Sequence, residues 1–507
     1  MKKVKYMVFM LVFLVFSCEK KLDLNPIGSI SQDSFYKTSN DANAAIISCY
    51  NTLIAFHTGW GVVSGVDMWG DIQSSDAEPH PDGVAWNQIY RYTLQPDNGE
   101  AQGQWFLIYQ GLFRANQALE KIPGITMDEN LKIRLLNEAY FIRGWWMLRL
   151  AKMYGSAPLV TKTLTVDELY VTNSTRQQLF DQVEKDLLIA ESLPDSYDDA
   201  NLGRATSAAA KTVLAELYLW EKKWAMAKPK LEAVINSGRY QLLDSYSSLF
   251  DGTTENSKEI IFEVQMKANT GKSIGNFSTT YSAPNGEGYV PGGGWGWIRP
   301  TQDIVNEYEI TPKEDPRLTY SIFRKGDNVE GQIFKDVVNG TGFAVKKWLI
   351  SGKNGVEIEP NFPWQSSANF AFYRYAEVLL MYAEVLNELG NTSAAVPYIN
   401  QVRARPSVAM PALSTSLTKD QVFEAIRHER RVEFSFEGKI SFDLRRWGIA
   451  GTFLRSPQRW QNNISINPQY GGSFFKFVDG KNEVFPIPQS EIDKSNQTLN
   501  QNPGWSK

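Results

Sequence analysis

Two segments of the chain, 168 residues apart, carry the same helical pattern. In each segment, apolar residues recur at the three- and four-residue spacing of one helix face, and a short polar turn interrupts the run once. Ala215 and Ala227 of the first segment align with Ala383 and Ala395 of the second, so that the alanines of each pair are 12 positions apart. Small residues on two consecutive helices let the helix axes approach closely. The pattern predicts two similar helical hairpins, and therefore a scaffold built from repeated helix pairs.

This spacing resembles the tetratricopeptide repeat, in which an aromatic or large apolar residue follows the first small residue by three positions. Tyr218 and Leu386 occupy that position here, and Gly390 lies where the repeat turns. Chance alanine spacing in ordinary helical hairpins is the alternative interpretation. Two copies in register favour the repeat over chance.

Helical periodicity also extends through the N-terminal half of the chain. The segments that show it are 41–56, 105–121, 131–154, 177–193 and 207–237. We expect Asp41 to cap the first of these helices and Gly155 to end the third. A short polar side chain suits a helix N-terminus, and glycine suits the position after a helix C-terminus. Helix is therefore the dominant secondary structure that the sequence predicts.

Two long irregular stretches, 59–98 and 240–365, interrupt the helices. They are rich in glycine, asparagine and proline, and short alternating pieces such as Glu259 to Met266 are typical of strands. Loops of this length are usually either functional or disordered. Many of the 15 tryptophans and 22 tyrosines lie in such stretches, and this aromatic content argues against disorder. We expect two large, ordered, aromatic-rich loops on a helical scaffold.

The N-terminus has the pattern of an export signal. Three lysines precede the apolar run from Tyr6 to Phe16, which is too short to span a bilayer, where roughly 20 residues are needed. Ser17 and Cys18 follow, and this arrangement resembles a bacterial lipoprotein signal, in which the cysteine is acylated and becomes the first mature residue. The alternative is an ordinary signal peptide with an incidental cysteine. We predict that Cys18 is the lipidation site.

Composition excludes several classes of function. The formal net charge is only −4, so the chain lacks the basic surface that nucleic acids or anionic phospholipids require. After lipidation Cys49 is the only other cysteine, so an internal disulfide is impossible and the fold depends on its core. After Pro26, no further stretch is long and apolar enough to cross a membrane. We expect a soluble mature protein tethered by acyl chains.

Catalytic signals are weak. With three histidines and no Cys/His cluster, the sequence predicts no zinc site, and no cofactor motif is complete. The acidic loop from Asp67 to Gly83 contains Asp71 and Asp76, and paired carboxylates could serve a surface glycosidase. A solvated loop, with side chains that bond to their own turns, is the favoured interpretation. Calcium in the acidic loop stays open as an alternative, although the loop lacks EF-hand spacing.

Aromatic side chains in the two loops are the candidate ligand-binding groups. A sugar binder needs flat apolar faces for stacking and a few polar groups for hydroxyls, and aromatic rings supply such faces at low entropy cost. For each ring, burial as a loop anchor is the alternative. The predicted ligand-binding residues are Trp86, Asn87, Tyr289, Trp295 and Trp297, with Trp364 as a weaker candidate.

The C-terminal third carries the most specific resemblance. The block HERRVEFSFEGKISFDLRRWG, from His428 to Gly448, is dense in charge yet apolar at several positions, and we expect a helix that runs into an extended segment. Its arginines and carboxylates can pair with one another in partly buried networks. This block closely resembles the signature of the SusD/RagB family of Bacteroidetes. Further matching segments follow the family's order: FIRGWWMLRLAKMYGSAPLV, GRATSAAAKTVLAELYLW, WIRPTQDIVNEYE, DPRL, NFAFYRYAEVLLMYAEVLNELG and VFPIPQSEI.

The resemblance implies a mainly α, SusD-like helical fold with four tetratricopeptide-like helix pairs and long, partly β, aromatic-rich loops. Family members are non-enzymatic lipoproteins of the outer membrane that face the cell exterior. They sit over a SusC-like TonB-dependent transporter and help to deliver oligosaccharides, and in some cases peptides, to it. Their sugar-binding aromatics often come from the same two loop regions. The expected function is therefore oligosaccharide capture, and a repeat adaptor with little ligand affinity of its own is an alternative.

These inferences divide the chain into five expected regions. They are a cleaved signal peptide over 1–17, a lipid-anchored tether over 18–26, an N-terminal helical region over 27–240, a loop-rich region with candidate ligand-binding aromatics over 241–365, and the C-terminal family region over 366–507.

Overall fold

The structure is a computed structural model. It describes residues 35–58, 68–271, 274–310, 313–336, 340–350, 355–456 and 476–505. The predicted signal peptide, Cys18 and the tether lie outside these residues.

Helices dominate the described residues. In chain order they are α1 (Ser39–Thr58), α2 (Met68–Gln73), α3 (Val84–Tyr90), α4 (Gly99–Lys121), α5 (Glu129–Tyr154), α6 (Arg176–Ala190), α7 (Ser207–Trp220), α8 (Trp224–Asn236), α9 (Ser278–Ser282), α10 (Gln302–Tyr308), α11 (Arg317–Ser321), α12 (Tyr375–Glu388), α13 (Thr392–Arg403), α14 (Lys419–Glu433), α15 (Ile440–Arg446), α16 (Ala450–Leu454) and α17 (Gln489–Lys494). Within the described ranges, every helix is too short or too polar to cross a bilayer.

The first helix begins earlier than predicted. The side chain of Thr38 accepts a hydrogen bond from the backbone N–H of Asp41 (3.3 Å), and the Asp41 carboxylate accepts one from the backbone N–H of Thr38 (2.8 Å). This reciprocal arrangement makes Thr38 the capping residue and places Asp41 in the first turn. The prediction that Asp41 caps the helix is therefore wrong. The predicted end of α5 at Gly155 is confirmed, and this glycine has a φ of 70°, which favours glycine over other residues.

The repeated alanine pattern forms two helical hairpins, as predicted. Helix α7 packs against α8, α12 packs against α13, and α8 also packs against α12. Ala215, Ala227, Ala383 and Ala395 are all fully buried. Because these small residues lie where the helices cross, the backbones approach closely, and the two repeats share one core.

Short antiparallel strands lie between the helices. They are β1 (Ala77–Pro79), β2 (Ile260–Val264), β3 (Ile298–Pro300), β4 (Ile322–Arg324), β5 (Asn328–Val329), β6 (Gln332–Ile333), β7 (Phe343–Val345) and β8 (Phe370–Arg374). Strand β1 pairs with β3, β2 with β8, β4 with β7, and β5 with β6. The predicted strand within Glu259–Met266 is thus confirmed as β2, whereas its partner β8, directly before α12, was not predicted.

The charged block at His428 to Gly448 forms a helix, a turn and a second helix. The expected extended segment after α14 is absent from this described stretch, because the chain turns and continues as α15. Phe436 and Gly438 have φ values of 61° and 73° in the turn. Their backbone N–H groups donate to the carboxylate of Asp71 at 2.7 and 2.8 Å. A distant buried carboxylate therefore holds the turn.

Buried ion pairs connect this block to the rest of the core. The carboxylate of Glu433 lies 2.8 Å from Arg317, 3.0 Å from Arg374 and 3.1 Å from Arg405, and all four side chains are almost completely buried. Burial alone would raise the pKa of Glu433, but the three guanidinium groups hold it at about 2. Glu433 is therefore charged across the neutral pH range.

Candidate ligand-binding site

The two aromatic loops meet at one place in the structure. Strand β1 belongs to the first loop and β3 to the second, and they pair from Ala77 opposite Pro300 to Pro79 opposite Ile298. The backbone N–H directly after β1, at His80, donates to the carbonyl oxygen directly before β3, at Trp297 (3.2 Å). Side chains from both loops are thereby placed next to each other, which the sequence did not show.

Trp86 and Asn87 lie on the short helix α3. The Trp86 side chain is buried, with the residue 4% exposed, and its ring centroid is 6.5 Å from that of Trp297. Trp86 is predicted to bind ligand, with burial as a loop anchor as the alternative, and its position in the structure is that of a buried anchor. The side-chain amide of Asn87 donates to the carbonyl oxygens of His80 (3.0 Å) and Gly83 (2.9 Å). Asn87 thus stabilises the turn that carries His80.

Trp297 is half-buried and joins the two loops. Its ring contacts the ring of Trp86 on one side and that of His80, at a centroid distance of 5.8 Å, on another. A Cβ atom at Gly83 would lie 2.6 Å from the Trp297 ring, so the backbone at this position must be glycine for the ring to pack there. These contacts fix the ring while part of it stays accessible.

Trp295 is also half-buried but belongs to a different aromatic group. Its ring centroid is 5.3 Å from that of Tyr281 and 6.3 Å from that of Phe277. Gly296, with a φ of 59°, separates it from Trp297 and changes the direction of the chain. The two tryptophans are close in sequence, but each is supported by its own neighbours.

Tyr289 anchors its loop to the β5–β6 hairpin. The residue is 8% exposed, its ring packs against Phe334, and its hydroxyl donates to the carbonyl oxygen of Ile333 (3.2 Å). In this structure the Tyr289 ring therefore has the position of a buried loop anchor, which is the alternative given for each predicted aromatic residue. Trp364 is half-buried, and its carbonyl oxygen accepts a hydrogen bond from the Thr280 hydroxyl (3.0 Å), so that it lies beside the second loop.

The two carboxylates proposed for a glycosidase are inaccessible. Asp71 and Asp76 are both fully buried. Asp71 accepts the two backbone hydrogen bonds that hold the turn after α14, and burial, together with the charge on Asp76, raises its pKa well above the usual value. Asp76 accepts a hydrogen bond from Arg431 (2.9 Å). The expectation of a solvated acidic loop is wrong for these residues, because both carboxylates bind groups from the C-terminal block.

His80 is a site residue that the sequence analysis missed. Its ring lies beside Trp297, and the guanidinium of Arg299 is near it, paired with Glu78 at 2.6 Å. Burial, and next the positive charge of Arg299, lower the pKa of His80, while the carboxylate of Asp82 opposes this shift. The available sequence signal was a lone histidine near the end of the acidic loop, three residues before Gly83.

A separate cavity of about 700 Å³ opens on the helical scaffold. Its lining is mostly apolar and comes from α4, the chain after α5 and the region around α17. Phe106 and Phe113, which are 61% and 46% exposed, lie one above the other on α4. Exposed apolar surfaces of this kind are typical of protein contact sites. Across the described ranges, no group of three or more histidine, cysteine or acidic side chains could hold a metal ion.

Comparison with known proteins identifies the class of this helical, loop-bearing scaffold. Residues 258–505 match the family model for the SusD family, and residues 65–219 match a second model, described as starch-binding associating with outer membrane. The protein belongs to the SusD/RagB family, and its mainly α, SusD-like fold is as predicted.

Similar proteins extend over nearly the whole chain. SusD-like protein P2 of Formosa agariphila is 26% identical, with 100% of both chains covered. A solved SusD superfamily protein of Bacteroides vulgatus is 27% identical with a TM-score of 0.76, covering 93% of this chain and 100% of its own. A structure described as a laminarin binding SusD-like protein is 25% identical with a TM-score of 0.77 and the same coverage.

Proposed function

We propose that this protein is a cell-surface glycan-binding lipoprotein that captures oligosaccharides and passes them to a SusC-like TonB-dependent transporter. The observation that carries the proposal is the pair of half-buried tryptophans, Trp295 and Trp297, at the place where the two aromatic loops join. The similarity to a laminarin binding SusD-like protein over nearly the full length supports the same ligand class.

The chemistry of the site suits a sugar. The rings of Trp295 and Trp297 are held by other aromatic side chains, so they lose little conformational freedom when a sugar stacks on them. An apolar face with few polar groups beside it is the usual arrangement for ligands that present both C–H surfaces and hydroxyls. Peptide or other nutrient binding with the same transporter is the second candidate function, since apolar side chains also pack on such rings.

We propose that the protein binds without catalysis. The carboxylates of Asp71 and Asp76 are occupied by core hydrogen bonds, so they support no glycosidase mechanism. Titration calorimetry of the purified mature chain against laminarin, starch and other oligosaccharides, with peptides in parallel, tests the proposal. We expect saturable binding of at least one glycan and no release of reducing sugar. Peptide binding alone, or turnover, would overturn it.

The transporter partnership has separate support. The apolar cavity beside α4, with its exposed Phe106 and Phe113, lies on the helical scaffold and is lined by different residues from the aromatic loops. A protein partner at this surface could contact the scaffold while the loops hold a ligand. The outer-membrane association in the description of the matched family supports the same location.

The lipid anchor gives a direct prediction. The Cys18→Ala variant should fold normally but lose its acyl chains, and stable membrane association should be lost with them. Fractionation of cells that express each form measures this, and melting of the purified protein is the control for folding. If the variant stays in the outer membrane in unchanged, salt-resistant yield, acylation of Cys18 is not the anchor.

A further inference from the structure

We propose that the imidazole of His80 recognises the sugar that stacks on Trp297, by donating a hydrogen bond from its Nε2–H to an oxygen of that sugar. This inference rests on the proposed glycan-binding function and names the polar group that orients the ligand.

The backbone of His80 is fixed on both sides. Its N–H donates to the carbonyl oxygen of Trp297 (3.2 Å), and its own carbonyl oxygen accepts hydrogen bonds from the Asn87 side chain (3.0 Å) and the Gly83 backbone (3.0 Å). The imidazole ring lies 5.8 Å from the Trp297 ring between centroids, at an angle of 57°. The histidine and the tryptophan therefore form one rigid unit, which is what a preorganised binding group requires.

The hydrogen bonds of the ring define which nitrogen is a donor. Nδ1 accepts a hydrogen bond from the backbone N–H of Asp82 (3.3 Å), while the Asp82 carboxylate, 3.6 Å from Nδ1, lies beyond hydrogen-bond distance, so a neutral ring carries its proton on Nε2. Burial and Arg299 favour this neutral form at pH 7 and above. Among the described residues, the hydrogen bond of the ring is made by Nδ1 and not by Nε2, and the side chain remains 16% exposed. An oriented donor is thus accessible beside the Trp297 ring.

The Nε2–H group of His80 can fix the orientation of a sugar, which stacking on Trp297 alone does poorly. Stacking on an aromatic face holds a sugar in the plane of the ring but discriminates poorly between its orientations, and a few placed polar groups supply the specificity. A hydroxyl, ring or carboxylate oxygen of a sugar accepts a hydrogen bond from an N–H group. Arg299 donates from Nη2 to Glu78 (2.6 Å) and to the Pro79 carbonyl oxygen (3.0 Å), and its Nε and Nη1 atoms are buried. The amide of Asn87 is used within its own turn, whereas Nε2 of His80 is a donor beside the Trp297 ring.

The test compares variants that separate packing from hydrogen bonding. His80→Phe keeps a ring against Trp297 but removes the donor, and we expect the affinity for laminarin, or for each other glycan that binds the wild-type protein, to fall about fivefold to tenfold. His80→Gln, which restores an N–H donor, should recover part of the affinity. The same replacement elsewhere, His428→Phe, is the matched control and should leave affinity unchanged. Melting temperatures of all variants check the fold.

A second measurement needs no ligand. The imidazole ¹⁵N spectrum of the free protein at pH 7.5, assigned by the loss of signals in His80→Gln, should show the Nε2–H tautomer for His80. An Nδ1–H tautomer would overturn the inference, because Nε2 would then carry no proton to donate. If glycans bind but His80→Phe binds them as well as the wild type, only this inference fails. If no glycan binds the wild type, the proposed function fails and the inference fails with it.

Discussion

Replacing Glu433 by glutamine is expected to lower the free energy of unfolding by about 3 to 5 kcal/mol, because it removes one carboxylate from a buried ion-pair network and leaves the remaining carboxylates to compensate three buried guanidinium groups. Arg317, Arg374 and Arg405 all bind this one carboxylate, and each side chain is at most 1% exposed. A glutamine of nearly the same shape keeps the packing but provides no negative charge. The lost stability is therefore electrostatic in origin. Chemical denaturation of the folded variant measures it, and failure to obtain a folded variant also agrees with the prediction.

The pKa of Glu433 also predicts how the effect of Glu433→Gln on stability depends on pH. The pKa of Glu433 is about 2 in the folded protein, below its usual value of 4.5, so its carboxylate stabilises the fold fully above pH 4.5. That contribution is lost as the pH falls from 4.5 toward 2. The difference in stability between wild type and Glu433→Gln should therefore be constant from pH 6 to 8 and shrink in acid.

An exposed ion pair is the matched control. Glu424 binds Arg427 on the same helix, α14, and its side chain is 57% exposed. Solvent screens such a pair, so Glu424→Gln should change the free energy of unfolding by less than about 1 kcal/mol. Equal stability of Glu433→Gln and Glu424→Gln would contradict the assignment of the buried pairs as scaffold.

Local pattern was sufficient to predict the helical scaffold. The alanine spacing in the two hairpins and Gly155 after α5 are short-range signals, and the structure confirms them. Strand β8 and the turn after α14 were missed because each depends on a partner far away in the sequence. Phe370 to Arg374 is a strand only because β2 pairs with it, and the turn at Phe436 forms where Asp71 accepts its N–H.

The ion pairs of the charged block, from His428 to Gly448, also depend on partners far away in the sequence. Its arginines and carboxylates were expected to pair with one another, and Arg430 does bind Asp443 at 2.7 Å. Arg431, however, binds Asp76 and Glu307, and Glu433 binds three arginines outside the block. A sequence shows which side chains can form ion pairs, but the partner of each depends on which elements the fold brings together.

Composition located the aromatic loops, but it did not show which of their rings are accessible. Trp86 is buried where α3 packs against β1 and α4, and Tyr289 is buried where its loop packs against the β5–β6 hairpin. Neither packing arrangement has a signal in the local sequence. Trp295 and Trp297 keep exposed surface because glycine-rich chain surrounds them. His80 was missed because only the β1–β3 pairing places it beside a tryptophan.

The buried and half-buried tryptophans make opposite predictions for stability. Trp86→Ala removes a ring from the core, and such truncations typically cost about 3 to 5 kcal/mol of stability. We therefore expect a clear fall in melting temperature for this variant. Trp297→Ala and Trp295→Ala remove rings that are partly in solvent, so their melting temperatures should change less. Melting curves of the three variants test this order.

For binding, Trp297→Ala is expected to weaken the affinity for oligosaccharides about 30-fold or more, because truncation of an anchoring tryptophan costs about 2 kcal/mol or more. The ring is held by Trp86, His80 and Gly83, so alanine there removes a preorganised platform and leaves the apolar face of the sugar in water. Trp295→Ala should weaken binding in the same way if one ligand spans both aromatic groups. Calorimetry and melting on a single preparation of each variant separate lost contact from lost fold. Unchanged affinity in both Trp295→Ala and Trp297→Ala would show that the sugar binds elsewhere on the protein.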